Sequence, residues 1–289
     1  MELHKRTVLS DIEKDHIDAL VKLCNQHDAT YTDIYLSNQF NYYLDLPAFF
    51  LAYEGETLIG VLNIYADEAD EAEIKAMVHP ERRRQGIFRF LLRAADEELR
   101  AKKYTVALYV VDRCFAGYEA LMTALGGTYT EAEYYMVWQN PKLTAPAAAE
   151  VSSKRVRLAK EADIPVLAQI AAEAFAEELA VQLKYEAESL RDPEIYKFVI
   201  EQDGLIAGGC SVSVRPELNY IFGLCVAKAR QHQGLGKALL GGVITHLQAE
   251  DRENIALSVV TDNENALKLY QNCGFVTKTA NLYYKTEID

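Results

Sequence analysis

The chain has 289 residues, half of them hydrophobic and a quarter charged, with a formal net charge of −13. That length is at the upper edge of what one core supports, so two domains are expected. The acidity argues against nucleic acid as the main partner, and no apolar run reaches the roughly 18–20 residues needed to span a bilayer.

The opening residues lack the apolar stretch of a signal peptide. Five scattered cysteines without a C-x-x-C pair, and six histidines without ligand spacing, argue against both a disulfide framework and a bound metal. They favour a reducing cytoplasm. In chain order, an amphipathic helix is expected first, with Ile12, Ile17, Leu20, Val21 and Cys24 on one face. An aromatic-rich stretch follows, "TYTDIYLSNQFNYYLDLPAFFLAY", whose density of rings reads best as core. Next come strands around "TLIGVLNIYA" and ending in "KAMV", then a glycine-bearing loop, "RRRQGIF". The loop opens a helix with Leu91, Ala95 and Leu99 on its apolar stripe. A strand ("TVALYVV"), a short helix and a last strand ("EYYMVW") complete this half.

The same order then repeats. Gly60 and Gly208, Val78 and Val226, Gly86 and Gly234, and Gly126 and Gly274 stand at one constant offset. This is a tandem duplication. Between the copies, residues 140–154 hold two prolines, small residues and no periodic apolar pattern, and they read as a linker. The expected domains are therefore 1–139 and 155–289. In the second copy the helix carries Ile164, Leu167, Ile170, Ala171 and Phe175. Strands follow at "GLIAGGCSVSV" and "GLCV", then the loop "RQHQGLG" and a helix with Leu239, Val243 and Leu247. "EAFAEELAVQLKYEAE" adds Glu173, Glu177, Glu178, Glu186 and Glu188, for most of which a solvated face is expected.

A strand that runs into a glycine loop and then a helix presents free backbone N–H groups at the positive end of the helix dipole, which suits an anion such as a pyrophosphate. Neither G-x-x-x-x-G-K-[ST] nor G-x-G-x-x-[GA] fits. Gln231 stands where the first P-loop glycine belongs, Ala238 follows Lys237, and Leu239 fills the third dinucleotide position. What remains is Gln231, His232, Gln233, Gly234, Leu235, Gly236. This resembles the [QR]-x-x-G-x-[GA] motif of the GNAT family of acetyl-CoA-dependent N-acetyltransferases. A second motif, N-x-x-A-x-x-L-Y-x-x-x-G-F, is matched by Asn263, Ala266, Leu269, Tyr270, Gly274 and Phe275. Thr261 and Glu264 have capping-box spacing at the start of that helix, and Gly274 is placed to end it.

The resemblance implies an α/β fold of two tandem domains. Each would have a mixed, mostly antiparallel central sheet with a splayed parallel pair, flanked by helices. It implies acetyl-CoA as co-substrate and attack of an amine on the thioester through a tetrahedral oxyanion. The acceptor would be a small molecule or a peptide, and the chain a monomer or a homodimer. Leu224, Cys225 and Val226 would meet the pantetheine arm. Gln231 to Lys237, with Asn263, would bind the remainder, and Tyr270 would be the general acid. The glutamate that some members carry five residues before the motif asparagine is Ser258 here, so no base is assigned. In the first copy Arg83-x-x-Gly86 persists, but Phe88 replaces Gly236, Phe115 replaces Asn263 and Met122 replaces Tyr270. A thioether donates no proton, so this copy is expected to be non-catalytic. A non-catalytic acetyl-CoA-binding sensor or scaffold is the alternative the residues leave open.

Overall fold

The structure is a computed structural model that describes residues 1–139 and 154–288. Apart from Lys154, the expected linker lies outside the described residues. The chain forms two compact units, one of Met1–Glu133 with Thr279–Asp289, the other of Tyr134–Lys278.

The first unit contains β1 (Glu2–Arg6), α1 (Asp11–Asp28), β2 (Phe49–Glu54), β3 (Thr57–Tyr65), β4 (Glu71–Val78), α2 (Ile87–Ala101), β5 (Val106–Asp112) and α3 (Tyr118–Leu125). After β6 (Thr128–Trp138), the second unit adds β7 (Lys154–Leu158), α4 (Ile164–Phe175), α5 (Leu179–Arg191), β8 (Ile195–Gln202) and β9 (Leu205–Val214). It continues with β10 (Asn219–Val226), α6 (Leu235–Ala249), β11 (Ile255–Val260), α7 (Glu264–Asn272) and β12 (Phe275–Glu287).

In the first unit the strand order is β1-β2-β3-β4-β5-β12. All its pairs are antiparallel except β4 with β5, which run parallel from Glu71/Val106 to Ile74/Tyr109. The second unit repeats the plan as β7-β8-β9-β10-β11-β6. There the parallel contact of β10 with β11 covers only Asn219–Ile221 against Ile255–Leu257. In both units the strand before the glycine loop outruns its parallel partner, so the expected splayed pair is present twice.

The apolar stripes dictate the layers. Ile87, Leu91, Leu92, Ala95 and Leu99 of α2 close one sheet face with Phe50, Leu62, Ile64 and Ile74. On the other face Ile17, Leu20 and Cys24 of α1 meet Phe49, Leu51 and Val61. In the second unit Leu235, Leu239, Leu240, Val243, Ile244 and Leu247 of α6 pack on Phe198, Ile200, Val212 and Ile221. Ile12 and Phe175, placed inward by periodicity, are exposed, because each sits in a terminal turn of its helix, at the edge of the buried stripe.

The compact units do not follow the boundaries 1–139 and 155–289 at the last strand of each copy. Residues Asn281–Glu287 of β12 pair with β5 in the first unit. Conversely, Met136 and Trp138 of β6 are buried in the core of the second. There Trp138 Nε1 donates to the Cys273 carbonyl at 3.1 Å. Each unit thus takes its final strand from the other half of the sequence.

Candidate active site

The site is best built from β10. Gly208 pairs with Val226 and Gly209 with Cys225, but the register between β9 and β10 shifts between Phe222 and Cys225. Gly223 adopts φ +62 within that shift, a conformation that glycine enters without strain. The result is a β-bulge, a device that bends a strand and frees backbone groups from the ladder. β4 has no such shift, since its pairing with β3 is continuous from Tyr65/Glu73 to Gly60/Val78. The two copies therefore share the splay but not the bulge. The signal in the sequence was Gly223, opposite Lys75 of the first copy.

Beyond β10, a 3-10 turn at Lys228–Arg230 leads into the loop. His232 has φ +61 and Gly234 φ +73, and their counterparts Arg84 and Gly86 have φ +62 and +83. The loop backbone is thus nearly the same in both copies. Gly234 is the N-cap of α6, and no side chain caps the helix. The first-turn N–H groups, among them those of Leu235, Gly236 and Lys237, are open to an anion. A Cβ built on Gly234 would meet only Lys154 Nζ, at 3.6 Å, so a phosphate could approach this backbone closely. Lys154 itself donates to the Gln233 carbonyl at 2.8 Å. The sequence motifs gave no sign of this cation, which arrives from β7.

Other residues of the motif behave differently from expectation. Gly236 does not face the open side of the loop; its Cβ would lie 3.1 Å from Leu269 Cδ2. That glycine lets α7 pack against α6. Leu235 is a core residue, leaving only its backbone for the site. Gln231 donates its amide to the Val226 carbonyl at 3.3 Å. Lys237 and His232 are exposed. Asn263, rather than Thr261, is the N-cap of α7, and its Oδ1 accepts from Ala266 N at 3.1 Å. Gly274 ends the helix at φ +89 as expected. Cys225 is buried, and burial pushes its thiol up to about 11. It is an inert packing residue.

Tyr270 is buried on α7, its ring set edge-on to Phe275 with centroids 6.1 Å apart. Burial, with smaller contributions from Cys210 and Cys273, pushes its hydroxyl up to about 12. The group is protonated at neutral pH and, among the described residues, has no hydrogen-bond partner. In the first unit the counterpart of Gln231, Arg83, is engaged by its neighbours. Arg83 makes a bidentate ion pair with Asp28 (2.8 and 2.5 Å), donates to the Val78 carbonyl at 3.1 Å, and stacks on Phe115 at 5.6 Å. Phe88 and Leu121 are half-buried against the core there.

Two glycine loops on splayed strands, the second beside a bulge, mark one α/β type of domain that the chain carries twice. The model of the acetyltransferase (GNAT) family matches residues 15–117 and 164–275, and the chain belongs to this family, whose members use acetyl-CoA as co-substrate. Among curated proteins, the mycothiol acetyltransferase of Streptomyces griseus is 37% identical over 103 residues, 35% of this chain and 33% of that protein. That of Streptomyces coelicolor is 35% identical over the same length. The match spans about a third of these relatives' length. Among solved structures, a GCN5-related N-acetyltransferase from Sphaerobacter thermophilus superposes with TM-score 0.71 at 16% identity, covering 99% of this chain and 96% of that one. A tandem GNAT protein from the clavulanic acid biosynthesis pathway gives 0.70 at 18%, covering 100% and 99%. At such identity these two speak for the fold alone. Among the described residues no cluster of His, Cys, Asp and Glu is arranged to hold a metal ion. No helix among them is long and apolar enough to cross a membrane.

Proposed function

We propose that the protein is an acetyl-CoA-dependent N-acetyltransferase whose single working site lies in the second unit. The acceptor nitrogen attacks the acetyl carbonyl carbon, the C–S bond breaks, and the amine's surplus proton is matched by the one delivered to the departing sulfur. The backbone at the bulge, Leu224 to Val226, receives the pantetheine arm and stabilises negative charge on the carbonyl oxygen, an effect worth about 3–4 kcal/mol per well-placed donor. The N–H groups of Gly234 to Lys237, with Gln231, His232 and Gln233 around them, hold the pyrophosphate. Lys154 adds a positive charge beside them. Asn263 starts the helix that carries Tyr270, and Tyr270 donates the proton to sulfur.

The observation that supports this reading best is the asymmetry at one pair of positions. A buried tyrosine whose hydroxyl is protonated at neutral pH occupies position 270, and a thioether, Met122, occupies its counterpart in the core of the first unit. Liberated thiol from acetyl-CoA should be measured with a panel of polyamines, aminosugars, amino acids and peptides. Amine-dependent release that is lost in Tyr270→Phe supports the reading. Acetyl-CoA binding without release to any amine would favour a sensor.

A further inference from the structure

The helix α5 is inverted. A helix lying on a sheet normally buries its apolar stripe, yet the buried positions of α5 are Gln182, Glu186 and Ser189. Its solvent side exposes Leu179, Val181 and Leu183. Beneath it, Glu186 Oε2 lies 2.5 Å from Lys197 Nζ of β8, both side chains being almost wholly buried. Beyond this contact Glu186 Oε2 has no hydrogen-bond partner among the described residues, and the fully buried Ser189 Oγ has none. Lys197 Nζ also donates to Ser211 Oγ at 3.0 Å.

A buried ion pair with unfilled hydrogen-bonding capacity is a poor stabilising element, because desolvation offsets much of the attraction. Its position points to another use. Lys197 pairs with Ser211 across β8 and β9, and Ser211 pairs with Phe222 across β9 and β10. That row ends one residue before the bulge at Gly223. Tyr185, adjacent to Glu186, meets the Phe222 ring edge-on with centroids 6.5 Å apart. Both charges act on the Cys225 thiol just past the bulge. A positive and a negative group are thus set side by side on α5 and β8, at the far end of a row that crosses β9 to Phe222 of β10.

We infer that this seam seats an acceptor bearing a carboxylate close to its reacting amine, an α-amino acid or a similar zwitterion, with Lys197 taking the carboxylate and Glu186 the amine. The inference rests on the transfer reading of the second unit. Without ligand the two side chains neutralise each other. A zwitterion offers each an opposite charge, and it offers Ser189 and Ser211 hydrogen-bond partners. A simple alkylamine would satisfy Glu186 and leave Lys197 buried without a counter-charge.

The test compares thiol release with leucine, phenylalanine and arginine against the amines left when each loses its carboxylate, using the full chain. The expected result is a kcat/KM at least 10-fold higher for the amino acids. Single removal of Lys197 would strand a buried carboxylate and risk unfolding, so the variant is the apolar pair Lys197→Met with Glu186→Leu, accompanied by Ser189→Ala. The paired variant should keep its acetyl-CoA-induced thermal shift and lose the preference for the amino acid, mainly through KM. Ser189→Ala should raise KM for the amino acids several-fold. Equal or better turnover of the decarboxylated amines by the natural protein overturns the inference and leaves the transfer reading standing. So does a paired variant that folds, binds acetyl-CoA and keeps the preference. No thermal shift with acetyl-CoA in the natural protein removes the transfer reading and, with it, the inference.

Discussion

Gly236 faces Leu269 across 3.1 Å, measured from an added Cβ to Leu269 Cδ2. The small residue of the loop motif therefore serves the contact between α6 and α7, and α7 carries Tyr270. Copying the first unit's residue into this position, as Gly236→Phe, should push α7 outward. Overpacking of this kind costs about 1–3 kcal/mol. Both acetyl-CoA affinity and turnover should fall, with turnover falling more because the proton donor is displaced. Calorimetry and steady-state kinetics on the variant check this. Lost affinity with unchanged kcat would return Gly236 to a role against the phosphates.

Tyr270→Phe keeps the ring against Phe275 and deletes one oxygen. Turnover should drop by about 10²–10⁴-fold, the usual range for general acid catalysis, while the acetyl-CoA Kd stays within a few-fold. The hydroxyl has no partner among the described residues, so its removal leaves no orphaned group and the melting temperature should barely move. A wild-type kcat in the variant would reduce Tyr270 to a packing residue.

Much of this site was legible because periodicity and glycine spacing are local signals. The two loops, the helices behind them and the Tyr270 motif all lie within short windows of sequence. The exchange of β6 and β12 was not legible, since "EYYMVW" and "NLYYKT" suit either sheet equally and nothing local says which one they join. The face of Gly236 was hidden for a related reason: a motif names the residue but not the neighbour its Cβ would strike. Glu186 was masked by company. Glu173, Glu177 and Glu178 around it are exposed, and only the matching lysine on β8 distinguishes it from a solvated charge.

One equivalent of acetyl-CoA per chain is expected by titration calorimetry. The first unit keeps the loop backbone, but Arg83 is held by Asp28 and Val78 and covered by Phe115, while β4 lacks the bulge. Gly234→Val, at φ +73, should abolish this single event, because a β-branched residue is severely disfavoured in that conformation. A second binding event that survives in the variant would assign a working loop to Gly86.

The strand exchange makes a strong statement about truncation. A fragment of residues 141–289 lacks Met136 and Trp138, both in the second unit's core, and its Asn281–Glu287 segment loses β5 as partner. Loss of a large buried aromatic alone costs about 3–5 kcal/mol, against a total stability of about 5–15 kcal/mol. The fragment should be insoluble or lack a cooperative melt. A fragment starting at residue 128 restores the core strand and should fold better. Equal behaviour of the two fragments by circular dichroism would show that β6 is dispensable.

On β4, burial pushes the Glu73 carboxyl up to about 7 from an ordinary 4.5, with Lys75 opposing and Asp67, Glu133 and Glu71 adding like charge. The folded state therefore holds this proton more tightly than the unfolded chain. Below pH 4.5 the group is protonated in both states and costs nothing. As the pH rises from 4.5 towards 7 the unfolded chain ionises while the folded carboxyl keeps its proton, so stability is lost across that interval and the loss is complete above it. Glu73→Gln removes that penalty. A tenfold difference in proton affinity between the two states corresponds to about 1.4 kcal/mol, reduced here because the residue keeps some contact with solvent. The variant should match the natural protein at pH 4 and exceed it by roughly 1–2 kcal/mol at pH 8 in urea unfolding. A difference that is the same at both pH values would mean that Glu73 ionises like an exposed carboxylate and that the acidic face of β4 is solvated.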